Sequence, residues 1–147
     1  AGNAEMDLIL VNLRLLGVHH GDLTRLPEYC ELMSRSYEVP MSSAYPVVGR
    51  DAFRTGTGVH AAAIVKAEEK GDAWLADLIY SGVPASMVGR VQEIEVGPMA
   101  GLSNVKYWLR SRGYDTGDEA LSARLFEAAK RTDRTLTEEE LRDLADS

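Results

Sequence analysis

At 147 residues, with 45% apolar and 27% charged side chains, the chain has the size and balance of one ordinary globular domain. Its net charge of −7 argues against nonspecific attraction to nucleic acid or to an anionic membrane surface, and no apolar run is long enough to span a bilayer. A single cysteine, Cys30, excludes an internal disulfide and suits a reducing, cytoplasmic setting. The sequence opens at Ala1 rather than Met, without a basic-then-apolar leader, and runs directly into an apolar helix. The expectation is the middle of a longer protein, or a processed product.

Asn3 is a good N-cap for a first helix carrying Met6, Leu8, Ile9, Leu10, Val11, Leu13, Leu15 and Leu16, and Gly17 is a good stop. Apolar residues surround most of this helix, so it should pack on more than one side. Thr24 can cap a second helix, with Pro27 in its first turn and Leu26, Cys30, Met33 and Tyr37 as its stripe. In that stripe Cys30 reads as packing rather than as a reactive thiol. Ala44 to Val48 reads as a short strand with Pro46 near its start. A helix then runs from about Val59 to Lys70, with Gly71 as its stop, and Asp72 caps a shorter one.

Gln92 to Val96 alternates and can pair as an edge strand. Ser103 caps a helix ending before Gly113, Asp118 starts another, and Thr137 with Glu140 forms a capping box for the last. The acidic run Glu138, Glu139, Glu140 reads as a solvated helix face. The chain is thus mainly α with one short strand, more apolar before Gly71 and more polar after it. There is no internal repeat.

Chemistry concentrates in the run from Val48 to Ala67. A glycine turn leads through Thr55-Gly56-Thr57-Gly58 into a helix of small residues with His60 in its first turn. Imidazole is the side chain whose ordinary pKa lies near neutrality, so a histidine beside a flexible lead-in can serve as a general acid or base. The plainer alternative is a solvated histidine at a helix end. His19, His20 and Asp22 invite a metal reading, but neighbouring side chains diverge and no second cluster completes a coordination sphere. The glycine-rich run also lacks the Gly-Lys-Ser/Thr ending of a phosphate-binding loop.

Several separated signatures, in order, resemble the α-isopropylmalate and homocitrate synthases. Ala1-Gly2-Asn3 resembles the end of their Gly-Glu-Arg-Ala-Gly-Asn loop, and Val47-Val48-Gly49, Ala52-Phe53 and Gly58-Val59-His60 resemble their Ile-Val-Gly, Ala-Phe and Gly-Ile-His run. Tyr80, Pro84 and Val88-Gly89-Arg90 resemble their Tyr, Pro and Gly-Arg hinge. Val96-Gly97 and Gly101 resemble their Gly-Lys-His-Ser-Gly turn, and Phe126 to Leu141 resembles their finish. The departures are Thr55-Gly56-Thr57-Gly58 where an acid is common, Ala61-Ala62 after the histidine, and Pro98-Met99-Ala100 in place of Lys-His-Ser.

The resemblance implies the last part of a TIM (β/α)8 barrel over residues 1–50, a first linker subdomain over 51–82 and a second over 83–147. It implies a Claisen-type condensation of acetyl-CoA with a 2-oxo acid, 2-isopropylmalate synthase-like or else homocitrate or citramalate synthase-like. A divalent metal (Mg, Mn or Zn) would polarise the ketone. Asn3 matches a position at the metal site, whose other ligands would lie upstream of this chain. His60 matches a linker histidine in proton transfer, and Tyr80 a linker tyrosine placed over the active site. The linker would cover the barrel of a homodimer partner or of a barrel-bearing chain, and this chain alone would be inactive. The alternative from another class is a noncatalytic helical dimerisation or interaction module derived from the linker, in which Tyr80 is a hinge residue and Asn3 a cap.

Overall fold

The computed structural model describes residues 3–147; Ala1 and Gly2, which carry part of the resemblance, lie outside the described residues. Among the described residues, seven α-helices and two short strands follow one another: α1 Met6–Leu15, α2 Leu26–Ser36, β1 Arg54–Thr55, α3 Gly58–Glu69, α4 Ala73–Leu78, β2 Glu93–Ile94, α5 Leu102–Ser111, α6 Glu119–Lys130 and α7 Glu138–Asp146. A 3-10 turn, Ala85–Val88, precedes β2. The chain forms two compact units, one from residues 1–53 and 80–92, the other from 54–79 and 93–147.

In the first unit, α1 and α2 pack with the segments that follow them around Val11, Leu23, Leu26, Val48 and Val88. The helices begin later than their capping residues suggest. Residues 3–5 stay out of the helix, Glu5 is the N-cap, and no side chain closes the first turn of α1, so Asn3 is exposed rather than a cap. Thr24 is not the cap of α2 either. Its N–H and hydroxyl both bind the Asp22 carboxylate at 2.9 Å, and α2 starts after Arg25. This local Asx arrangement competes with helix capping for the same short polar side chains.

The strand expected over Ala44–Val48 is a compact turn instead. Tyr45 N–H bonds the Ser42 carbonyl, Gly49 N–H the Tyr45 carbonyl and Asp51 N–H the Ser43 carbonyl, all at 2.9–3.0 Å. The segment thereby spends its backbone groups on itself. Val47 and Phe53 sit at φ 68° and 67°, a left-handed conformation that a β-branched or aromatic residue keeps only when its surroundings force it. Arg90 supplies part of that force. Its guanidinium donates to the carbonyls of Val48, Gly49, Arg50 and Ala52 at 3.2–3.5 Å and lies 5.8 Å from the centre of the Phe53 ring. Gly89 aims it: at φ 70°, a Cβ there would collide with the Thr24 carbonyl oxygen, so only glycine fits.

The second unit has two cores. Ala61, Ile64 and Ala67 of α3 pack with Ala76 and Ile94, and Val96, Val105, Trp108, Leu109, Leu121, Leu125, Ala129 and Leu141 join α5, α6 and α7. Asp72 and Asp118 cap their helices as their spacing predicts, each accepting an N–H three residues on at 2.9 Å. Thr137 and Glu140 form the expected capping box. Helix α5 begins two residues earlier than a Ser103 cap requires, with Gly101 as its N-cap. The alternating stretch at 92–96 does pair, in parallel, Arg54 with Glu93 and Thr55 with Ile94. Arg54 reinforces this pair through Glu95 at 2.8 Å and Glu93 at 3.4 Å.

Candidate active-site residues

His60 stands in the first turn of α3 and is exposed. Its helix follows Thr57, whose side chain makes no capping hydrogen bond, so tertiary contacts hold the start of α3. Gly58 N–H donates to the Met99 carbonyl at 3.0 Å, and a Cβ on Gly58 would stand 2.6 Å from the Gly101 nitrogen. The 58 and 101 backbones therefore touch, and the two glycines that sequence reading matched separately belong to one feature. Around His60 the exposed neighbours in the chain and in that turn are apolar: Val59, Met99 and Leu102.

Tyr80 belongs to the first unit and is 48% exposed; Asn3, ahead of α1 in the same unit, is also exposed. The residues after Tyr80, Ser81 to Val83, line a cavity of about 460 Å³ with Tyr45, Val47, Asp51 and Phe53. Its lining residues are mostly apolar, with one carboxylate, Asp51, and two hydroxyl-bearing residues, Tyr45 and Ser81, and nothing in the residue pattern announced it.

Beneath the turn at 42–51, Tyr45 donates its hydroxyl to Asp7 Oδ1 at 3.3 Å. Burial, reinforced by that carboxylate, pushes the Tyr45 phenol up to about 12 and the Cys30 thiol up to about 11. A thiol held that high is inert at neutral pH, in line with Cys30 as a packing residue. Among the described residues no group of three His, Cys, Asp or Glu side chains could hold a metal ion; Asp22, beside His19 and His20, serves Thr24 instead. No helix of the described residues is long and apolar enough to cross a membrane.

No protein-family model matches the chain. Individual relatives do. Two carry provisional names, an (R)-citramalate synthase of Methanopyrus kandleri, 33% identical over 99% of this chain, and a 2-isopropylmalate synthase of Ignicoccus hospitalis, 27% identical over 99%. A homocitrate synthase of Methanosarcina mazei is 31% identical over 84% of it. The chain belongs to the isopropylmalate, homocitrate and citramalate synthase family. It spans between 28 and 35% of the length of those relatives.

Against that family background, two residues stand out that sequence reading did not single out. One is Asn104, wholly buried near the start of α5; the other is Lys130, whose ammonium donates to the carbonyls of Pro98 and Ala100 at 2.7 and 2.6 Å. A signal existed for the first. Asn104 shares a helix face with Val105 and Trp108, and a lone amide on an apolar face needs specific partners.

Proposed function

We propose that the chain is the C-terminal part of an acetyl-CoA-dependent 2-oxo-acid condensing enzyme, 2-isopropylmalate synthase-like, with homocitrate or citramalate synthase activity as the alternatives. The observation that carries this is homology along 99% of the chain to proteins named for these condensations. The surface of α1 supports it as well. Met6, Ile9, Leu15 and Leu16 are 43–75% exposed, an apolar face of the kind that an outer barrel helix turns to its neighbours.

In this reading His60 is the acid–base group. A methyl proton leaves acetyl-CoA, the resulting carbanion forms a C–C bond to the ketone carbon, and the ketone oxygen takes up a proton. Water then cleaves the thioester, releasing CoA and the carboxylic acid. An exposed imidazole on a fixed helix end can move such a proton once a closed site surrounds it. Tyr80, in the first unit, contributes a phenol to the complete enzyme in this reading. Asn3 would contribute to the site of the divalent ion that polarises the ketone, with the other ligands coming from outside this chain, since no three His, Cys, Asp or Glu side chains cluster among the described residues.

The test is CoA release from acetyl-CoA with branched, dicarboxylic and small 2-oxo acids. The chain alone gives none, and adding a barrel-bearing polypeptide of this family, as homodimer partner or separate chain, restores turnover. His60→Ala then lowers kcat by about 10²–10⁴, the usual contribution of a general acid–base group. Full turnover in that variant would overturn the assignment.

A further inference from the structure

The lead-in to His60 contains Gly56 and Gly58, residues with the greatest backbone freedom, and α3 has no side-chain cap. Something beyond local sequence must hold it. Asn104 is fully buried, and its amide is spent on three backbone groups. Nδ2 donates to the Glu95 carbonyl at 2.8 Å and to the Gly56 carbonyl at 3.4 Å, while Oδ1 accepts the Gly101 N–H at 3.0 Å. One side chain thus ties together the glycine-rich lead-in, the end of β2 and the turn before α5. That turn is itself held from the far side by Lys130 and meets Gly58 through the Met99 carbonyl.

We propose that Asn104 is a positioning residue for His60, its amide locking the Gly56–Gly58 lead-in onto the 98–101 turn and so fixing the helix start from which the imidazole projects. A wholly apolar side chain would fill the volume but leave the Gly56 and Glu95 carbonyls without this donor. The stability of α5 alone does not require such an arrangement, because only one of the three bonds serves the α5 terminus. The catalytic significance of the lock rests on the function proposed above; the lock itself does not.

The experiment uses the 147-residue chain with isotope-labelled histidine and Asn104→Asp, which matches the amide in volume, keeps the acceptor for Gly101 and removes both donors. The His60 ring resonances are expected to move and Gly58 amide exchange to speed up about tenfold. The signals of His19 and His20, in the other unit, are expected to stay in place. Wild-type His60 resonances together with wild-type Gly58 exchange would overturn the proposal.

If Asn104→Asp does not fold, Lys130→Met decides. Lys130 is exposed, and its loss frees the same turn. A displacement of the His60 signals in the same direction supports the lock, and unmoved signals overturn it. In the reconstituted enzyme, Asn104→Asp is expected to lower kcat with KM for the oxo acid nearly unchanged. Full turnover in Asn104→Asp, alongside loss in His60→Ala, would overturn the positioning role. Full turnover in His60→Ala would instead overturn the acid–base reading, and the resonance shift would still stand for the lock.

Discussion

The two units handle their apolar residues differently. The second, residues 54–79 and 93–147, buries Trp108, Leu109, Leu121, Leu125 and Leu141 in one core and Ile64 with its alanine neighbours in another. Its polar groups add ties: Trp108 Nε1 donates to Glu138 at 2.9 Å, and Arg112 and Arg142 bind the same carboxylate. The first unit closes a smaller core around Val11, Leu26 and Val88 and leaves Ile9, Leu16, Leu32 and Val39 exposed. It compensates with strained, tightly bonded turns clamped by Arg90. The second unit has the larger cores although Val59, Trp74, Met99 and Leu102 stay exposed, and the first leaves more of its apolar side chains uncovered.

The largest effect should come from the second unit's larger core. Leu125 is fully buried, so Leu125→Ala should cost about 2–5 kcal/mol, read as a fall in the denaturant midpoint. In the first unit the sensitive element is a turn rather than a core side chain. Gly89→Ala places a Cβ against the Thr24 carbonyl at a left-handed φ and should cost about 1–3 kcal/mol. A loss as large from Gly113→Ala, whose Cβ would meet nothing within 4 Å, would show the clash at Gly89 to be irrelevant.

The third effect is pH-dependent and belongs to the second unit. Hydrogen bonds from Arg134 and then from the Thr137 N–H hold the Glu140 carboxyl down at about 2, against an ordinary 4.5. A depressed folded pKa means that the contribution is complete above about 4.5 and disappears as pH falls through about 2. The Tm gap between wild type and Glu140→Gln should therefore be steady near neutrality and close between those pH values. A gap independent of pH would remove the carboxylate from the account. The smallest effect is the most telling about the first unit. Leu16 is 75% exposed, so Leu16→Ser should change stability by less than about 0.5 kcal/mol while reducing self-association in light scattering.

Much of the second unit was legible from local spacing. Asp72, Asp118, and the pair Thr137 and Glu140 mark helix starts because a cap and its acceptor sit within three residues of one another. The apolar stripes of α5 and α6 follow the same short-range rule. The first unit was less legible. Asn3 and Thr24 are good caps by type, yet one stands outside its helix and the other binds Asp22. Ala44 to Val48 has strand composition, but a strand exists only where another segment bonds it, and here the backbone closes on itself.

The order of the helices, the caps at Asp72, Asp118 and Thr137, and the family signatures were thus determined by sequence alone, because each depends on residues a few positions apart. The tertiary structure decided which distant segments meet. It paired Arg54 with Glu93, brought Gly58 against Gly101, and gave Asn104 its three backbone partners. Hydrogen bonds between backbone groups carry no side-chain signature, so the residues that receive them look ordinary until the chain is folded.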